Sequence, residues 1–302
     1  MREWLARGCD GSPDITVVGA PISKASISSS QAWSTPPAFR EALARFPTWH
    51  AGVSADVEEL AVRDAGDVDG DQHDPDASAA HARIEDAVAA AAETGMPVVV
   101  IGGDNSLTRP AFVGMARARP DRRWGLLTLD AHHDCRPVVD RSANGTPVRE
   151  LIESGLAGER VAQVGIHPLG NAREHAAWAL RQGIHVYGVA EVRARGIEAV
   201  VAAALAQLRE CGADAIYVDL DVDVVDRAFA PGCPASLPGG LAPLDLLNAA
   251  LLVGGEPDVA AVDLCEVDAL ADVAGITVRL MAASFTSLCA GLATRRRAAG
   301  AR

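Results

Sequence analysis

At 302 residues, with 49% hydrophobic and 22% charged residues, the chain can bury a large core, which excludes a disordered polymer. Its net charge of -13, from 27 basic and 40 acidic residues, opposes nucleic-acid phosphate and anionic membranes, and 4% aromatics leave little for base stacking. The six cysteines form no C-x-x-C pair, no stretch approaches about 18 continuous apolar residues, and the charged residues 1–13 lack the apolar run of a signal peptide, so the cytoplasm is the expected compartment.

Along the chain, short apolar runs alternate with longer Ala-rich segments of helical period, the pattern of βα units on a mainly parallel sheet. Strands are expected at residues 15–18 and 60–62, then, after a polar loop over 67–78, a helix at 81–93 and a strand at 98–101. A helix at 110–117, a strand at 125–129, a helix at 147–154 and a strand at 161–166 follow. The series closes with a helix at 172–182, a strand at 184–188, a helix at 197–210, a strand at 215–220, a helix at 243–252, a strand at 259–265 and a helix at 276–295. The fold class is therefore α/β with eight strands. No Pro/Ser-rich linker divides it, so residues 1–302 read as one domain, and the basic residues 295–302 read as a frayed, solvated tail.

Ligands of open α/β sheets sit beyond the carboxyl ends of the strands, and four of the eight ends are unusual. They run into Gly102-Gly103-Asp104-Asn105-Ser106, Asp130-Ala131-His132-His133-Asp134-Cys135-Arg136, Asp219-Leu220-Asp221-Val222-Asp223, and Glu266-Val267-Asp268. Asp130, His132 and Asp134 alternate with a period of two and should face one side of an extended chain, as should Asp219, Asp221 and Asp223. Like charges so dense at a strand end repel unless a cation holds them, whereas a solvated acidic loop has no reason to repeat the alternation twice. An oxygen-rich set with one imidazole suits Mn²⁺ better than Zn²⁺, and shared aspartates allow two ions.

These motifs, with Gly19-Ala20-Pro21, residues 36–40, Asn144-Gly145-Thr146-Pro147 and Asp272-x-x-Gly275-x-Thr277, run in order over nearly the whole length, and the chain resembles the ureohydrolase superfamily of arginase, agmatinase and formimidoylglutamase. The resemblance implies a three-layer α/β/α fold, two Mn²⁺ per subunit and a homo-oligomer. It implies that Asp130 and Asp221 bridge the ions, that Asp134 completes the first site, and that His132 and Asp223 complete the second, with Asp226 supporting them from behind. Asn105 takes the place where most members have a histidine ligand, so the first site should be weakened. Asn144 likewise stands where arginases and agmatinases have histidine.

Gly-Gly-Asp-Asn-Ser, Asp-Ala-His-His-Asp before Arg136, Asn-Gly-Thr-Pro-x-Arg ending at Arg149, and Gly-Ile-His before Asn171 place it nearest the formimidoylglutamase branch. The implied reaction converts N-formimidoyl-L-glutamate and water to L-glutamate and formamide in histidine degradation, by attack of a metal-bridging hydroxide. Glu266 would face the amidinium, Arg136 a substrate carboxylate, and Asp134 would relay the proton. Asn144, Arg149 and Asn171 are further candidates for holding substrate, while His133, Cys135 and Cys265 alternate away and read as packing or support. His50, His73, His81, His175 and His185 carry no signal beyond composition. The alternatives are an agmatinase- or arginase-like amidinohydrolase releasing urea, and a metal-weakened non-catalytic relative.

Overall fold

Eight parallel strands form the centre of the computed structural model, which describes residues 1–9 and 11–300. In chain order the elements are α1 (Arg2–Arg7), β1 (Ile15–Ala20), α2 (Thr35–Ala42), a small hairpin of β2 (Trp49–His50) and β3 (Ala55–Asp56), β4 (Val62–Asp67), α3 (Ser78–Ala92) and β5 (Val98–Gly102). Next come α4 (Thr108–Ala118), β6 (Trp124–Leu129), α5 (Pro147–Glu153), β7 (Val161–Ile166), α6 (Arg173–Arg181), β8 (His185–Gly188) and α7 (Val189–Arg195). The chain closes with α8 (Ile197–Glu210), β9 (Ala215–Asp221), α9 (Pro243–Gly255), β10 (Val259–Cys265) and α10 (Ile276–Gly300). The sheet order is β4-β1-β5-β10-β9-β6-β7-β8.

The burial of each strand follows its place in that order. The six inner strands are buried at every residue, as a sheet covered on both faces requires. Edge strand β4 is buried only at Val62 and then alternates exposed and half-buried positions, and edge strand β8 is half-buried throughout. Successive residues of one strand feed two separate cores. Val99 and Ile101 pack with α1, α2 and α7 to α10 through residues such as Phe39, Leu205, Leu246 and Phe285, whereas Val98 and Val100 pack with α3 to α6 through Ile84, Met115, Leu151 and Ala179. The resulting helix, sheet and helix layers are the expected α/β/α architecture.

Several boundaries differ from expectation. The second sheet strand is Val62–Asp67, not 60–62, because its alternating polar residues hide it from a search for apolar runs. Helices α1, α2 and α7 span only six to eight residues, too short for a helical period to stand out. The tail does not fray before Gly300: Arg295 donates to the carbonyls of Glu256, Pro257 and Val259, and Arg296 and Arg297 pair with Asp14 and Glu59. Residues 301 and 302 lie outside the described residues. By length and composition α10 is also apolar enough to cross a membrane, but 83% of that stretch is buried against the other layers, and it serves here as a core helix.

Candidate active site

The sheet order makes neighbours of β5, β10, β9 and β6, so the four unusual strand ends of the sequence emerge side by side. Cys265 pairs in register with Asp221, and Leu129 with Leu220. The chain leaves β5 for β6 across two positions, runs on to β8 and then doubles back to fill them with β9 and β10, and such a reversal of strand order opens a crevice at the carboxyl edge.

Local hydrogen bonds then bend each strand end inward. At the end of β9, Asp221 accepts the Asp223 N–H (2.7 Å) and closes a tight turn over residues 222–224. Beyond β6, Asp130 accepts the His132 N–H (2.5 Å), Asp223 accepts the Ala131 N–H (3.0 Å), and Asn171 accepts the His133 N–H (2.9 Å) while donating to the Ala131 carbonyl (3.0 Å). Convergence thus comes from turns, not from the extended alternation expected of them. Asp134 (φ 49°) and Glu266 (φ 62°) both hold the left-handed backbone conformation that disfavours non-glycine residues, a strain kept where the surrounding structure fixes a side chain for a task.

Asp130, Asp134, Asp221, Asp223 and Glu266 are all buried, and His132 Nδ1 lies 2.7 Å from Asp223 Oδ2 and 3.5 Å from Asp130 Oδ1. Burial, then the charge of Asp223, holds Asp130 at about 7, and burial with neighbouring Asp104 pushes Glu266 to about 8. Burial also raises Asp134 and Asp221, helped by Asp130 and Asp223 respectively. Burial alone would raise Asp223 and lower His132, but their mutual attraction wins, leaving Asp223 below the usual carboxylate range and His132 pushed up to about 12. Asp130 Oδ2 is buried without a hydrogen-bond partner, and Asp130, His132 and Asp223 offer ligand atoms within 4.8 Å of one another. Acids forced toward neutrality, an orphaned oxygen and a convergent imidazole fit a divalent cation, whose charge would satisfy all three.

A cavity of about 290 Å³ opens onto this cluster. His132, Asp134, Asp221, Asp223 and Glu266 line it, together with Arg136, Asn144, Asn171 and His175 and residues 27–28 and 234–237. Asn144 donates to Glu266 Oε1 (2.8 Å) and accepts the Ile27 N–H (3.0 Å), tying the 27–28 loop to the carboxylate. Gly145 lets Arg136 lie flat, since a Cβ there would stand 2.7 Å from Arg136 Cδ.

Four expected placements need correction. Arg149 is not among the lining residues; it pairs with Glu153 (2.7 Å) and stacks 4.8 Å from the Trp178 ring, because its helix turns it outward. Asp226 spends both oxygens on the Ala228 and Gly239 N–H groups (2.8 and 2.6 Å) and shapes a loop instead of backing the cluster. Asp219, though in step with Asp221, lies within β9 opposite Asp263 of β10, beneath the cavity. Asn105 turns its amide nitrogen toward Asp134 (2.6 Å), while its oxygen faces the Thr108 hydroxyl (2.6 Å) and the Cys265 thiol (3.4 Å), so its oxygen points away from the cluster it was expected to serve. The sequence reading also passed over His175 and the 234–237 segment, which no spacing links to the strand ends; only their contact with the cavity marks them.

The Arginase family model matches residues 13–290 of the chain. The formimidoylglutamase of Halalkalibacterium halodurans is 36% identical over 283 residues, covering 92% of this chain and 86% of that protein. The crystal structure of formimidoylglutamase from Bacillus subtilis superimposes with a TM-score of 0.86 at 29% identity, covering 92% of this chain and 86% of the other. That of Trypanosoma cruzi formiminoglutamase with Mn²⁺ does so with a TM-score of 0.87 at 26% identity, covering 95% and 96%.

Proposed function

The chain belongs to the arginase family, and from that premise we propose that it is a manganese hydrolase of C–N bonds in linear amidines that converts N-formimidoyl-L-glutamate to L-glutamate and formamide. One observation carries the substrate: the cavity is lined by groups of both charges. Buried carboxylates led by Glu266 suit a cationic amidinium, and the Arg136 guanidinium, which has no carboxylate partner among the described residues, suits an anionic tail.

Two Mn²⁺ would be held by Asp134 in one site and by His132 and Asp223 in the other, with Asp130 and Asp221 serving both. Two Mn²⁺ bound there would supply a nucleophile near neutral pH by lowering the pKa of coordinated water. The chain's own residues do the rest. Glu266, fixed by the Asn105 N–H (2.8 Å) and by Asn144, pairs with the amidinium and aims its carbon at the cluster. Asp134, held by the Asn105 amide, takes the proton of the attacking water and returns it to the departing nitrogen. The bond from the amidine carbon to glutamate's nitrogen breaks; the amine leaves as L-glutamate and the carbon as formamide. The six unpaired thiols suit the reducing cytoplasm.

Glutamate and formamide release from N-formimidoyl-L-glutamate, measured beside urea release from agmatine and arginine, tests the reading. Turnover of the formimidoyl compound without urea is expected. Urea with no formimidoyl turnover would assign a guanidino substrate, and neither activity in protein loaded with Mn²⁺ would leave a non-catalytic relative.

A further inference from the structure

We infer that His175 is a specificity-determining residue of this cavity: its imidazole is the second anchor, beside Arg136, for a substrate carrying two carboxylates, and it takes up a proton when that substrate binds. The inference deepens the proposed function and rests on it.

His175 stands in the first turn of α6, half-buried, and lines the same cavity as Arg136 and the metal-ligand cluster. Among the described residues neither its ring nor the Arg136 guanidinium makes a hydrogen bond or an ion pair, whereas the acidic side chains of the lining are hydrogen-bonded or paired. A half-buried donor without a partner, facing a cavity beside an unpaired guanidinium, is arranged for an anion. One guanidinium can grip one carboxylate bidentately; N-formimidoyl-L-glutamate brings two, and away from the metal-ligand cluster the remaining side-chain donors of the lining are uncharged amides and hydroxyls.

The groups around the ring set its charge. Burial, then Arg136 from the loop after β6, lowers the His175 pKa, with Arg149 of α5 adding to the effect and Glu174 of its own helix opposing it. His133, its remaining titratable neighbour, is engaged with Gln163 (2.7 Å) and is itself held neutral by burial. The ring is therefore neutral in the empty cavity at pH 7. A carboxylate entering beside it offsets the repulsion from Arg136 and favours the imidazolium, so binding and protonation are linked. A substrate with one carboxylate needs only Arg136, and the second anchor selects against it.

Calorimetry of L-glutamate binding to protein loaded with Mn²⁺ at pH 7, in buffers of different ionisation enthalpy, reads the proton directly. Uptake of up to one proton is expected in the native chain and none in His175→Gln. In kinetics, His175→Gln should raise KM for N-formimidoyl-L-glutamate about tenfold, the worth of a charge-assisted hydrogen bond, and much more than it lowers kcat. His175→Lys, with a fixed charge, should recover most of that KM without proton uptake. Proton uptake that persists in His175→Gln, a KM that does not move, or no binding of L-glutamate overturns the anchor. A native chain inactive toward the formimidoyl compound overturns the proposed function instead, and the calorimetry still reads the anchor.

Discussion

Asn105 donates its side-chain amide to Asp134 across 2.6 Å, so the residue expected at a metal-ligand position acts here as a donor to a carboxylate. Thr108 and Cys265 fix that orientation by occupying its oxygen. In the proposed two-metal arrangement the first site would rely on carboxylates alone, and the chain as purified should carry less than two Mn²⁺ and gain activity when manganese is added. Asn105→His should hold more metal through a chelator wash, provided the ring displaces the Thr108 contact. Full metal retention by the native chain, measured by elemental analysis, would show that the site needs no ligand from residue 105.

Asp130→Ala and Asp221→Ala should each abolish metal binding and turnover together. A shared ligand leaves two coordination spheres at once, so the loss should exceed the 10–100-fold typical of changes around the ligands. Either variant retaining turnover would rule out the shared arrangement.

Glu266→Gln should fold and keep its metals, because Oε1 can still accept from Asn105 and Asn144. It should lose roughly 100- to 1000-fold in kcat/KM, as when one aimed charge-stabilising group is removed from an active site. A kcat/KM within threefold of the native value would take Glu266 out of the reaction.

Arg136→Ala should raise KM for the formimidoyl substrate roughly 10- to 100-fold with a smaller effect on kcat, since an anchor on a remote carboxylate serves ground and transition states alike. Gly145→Ala should act in the same direction by pressing on Arg136 Cδ. An unchanged KM in both would place the anionic tail elsewhere.

The metal-free protein should lose stability as pH rises from about 5 to about 8. Folded Asp130 and Glu266 titrate at about 7 and about 8, whereas in the unfolded chain both titrate near 4. Between those values only the folded state holds the protons, so their contribution is complete below the unfolded pKa and vanishes as pH climbs through the folded one. His132, raised by Asp223 and Asp130, has the same sign, and Asp223, already ionised above pH 5, adds nothing in this window. Melting temperatures of chelated protein should fall across the range, and added Mn²⁺ should reverse the trend; a flat or rising profile without metal would mean the cluster is solvated.

What the residues determined by themselves was chemistry tied to local pattern. All-apolar runs such as 98–101 and 259–265 are strands because a strand covered on both faces has no polar side, and carboxylates at the ends of four runs mark where the chain leaves the core. The polar edge strand Val62–Asp67 was half-hidden for the converse reason. The tertiary structure alone decided which ends meet. Only the order β5-β10-β9-β6 brings Glu266 between Asn105 and Asp221, and only the turn at 222–224 parts Asp223 from Asp219, which share a period but not a place. Arg149 and His175 reverse their expected roles because a helix face, not a motif, points one at Glu153 and the other at the cavity. Periodicity encodes burial and element type along the chain, whereas a site is built from contacts between distant segments, and those are set by how the two helical layers pack on the sheet.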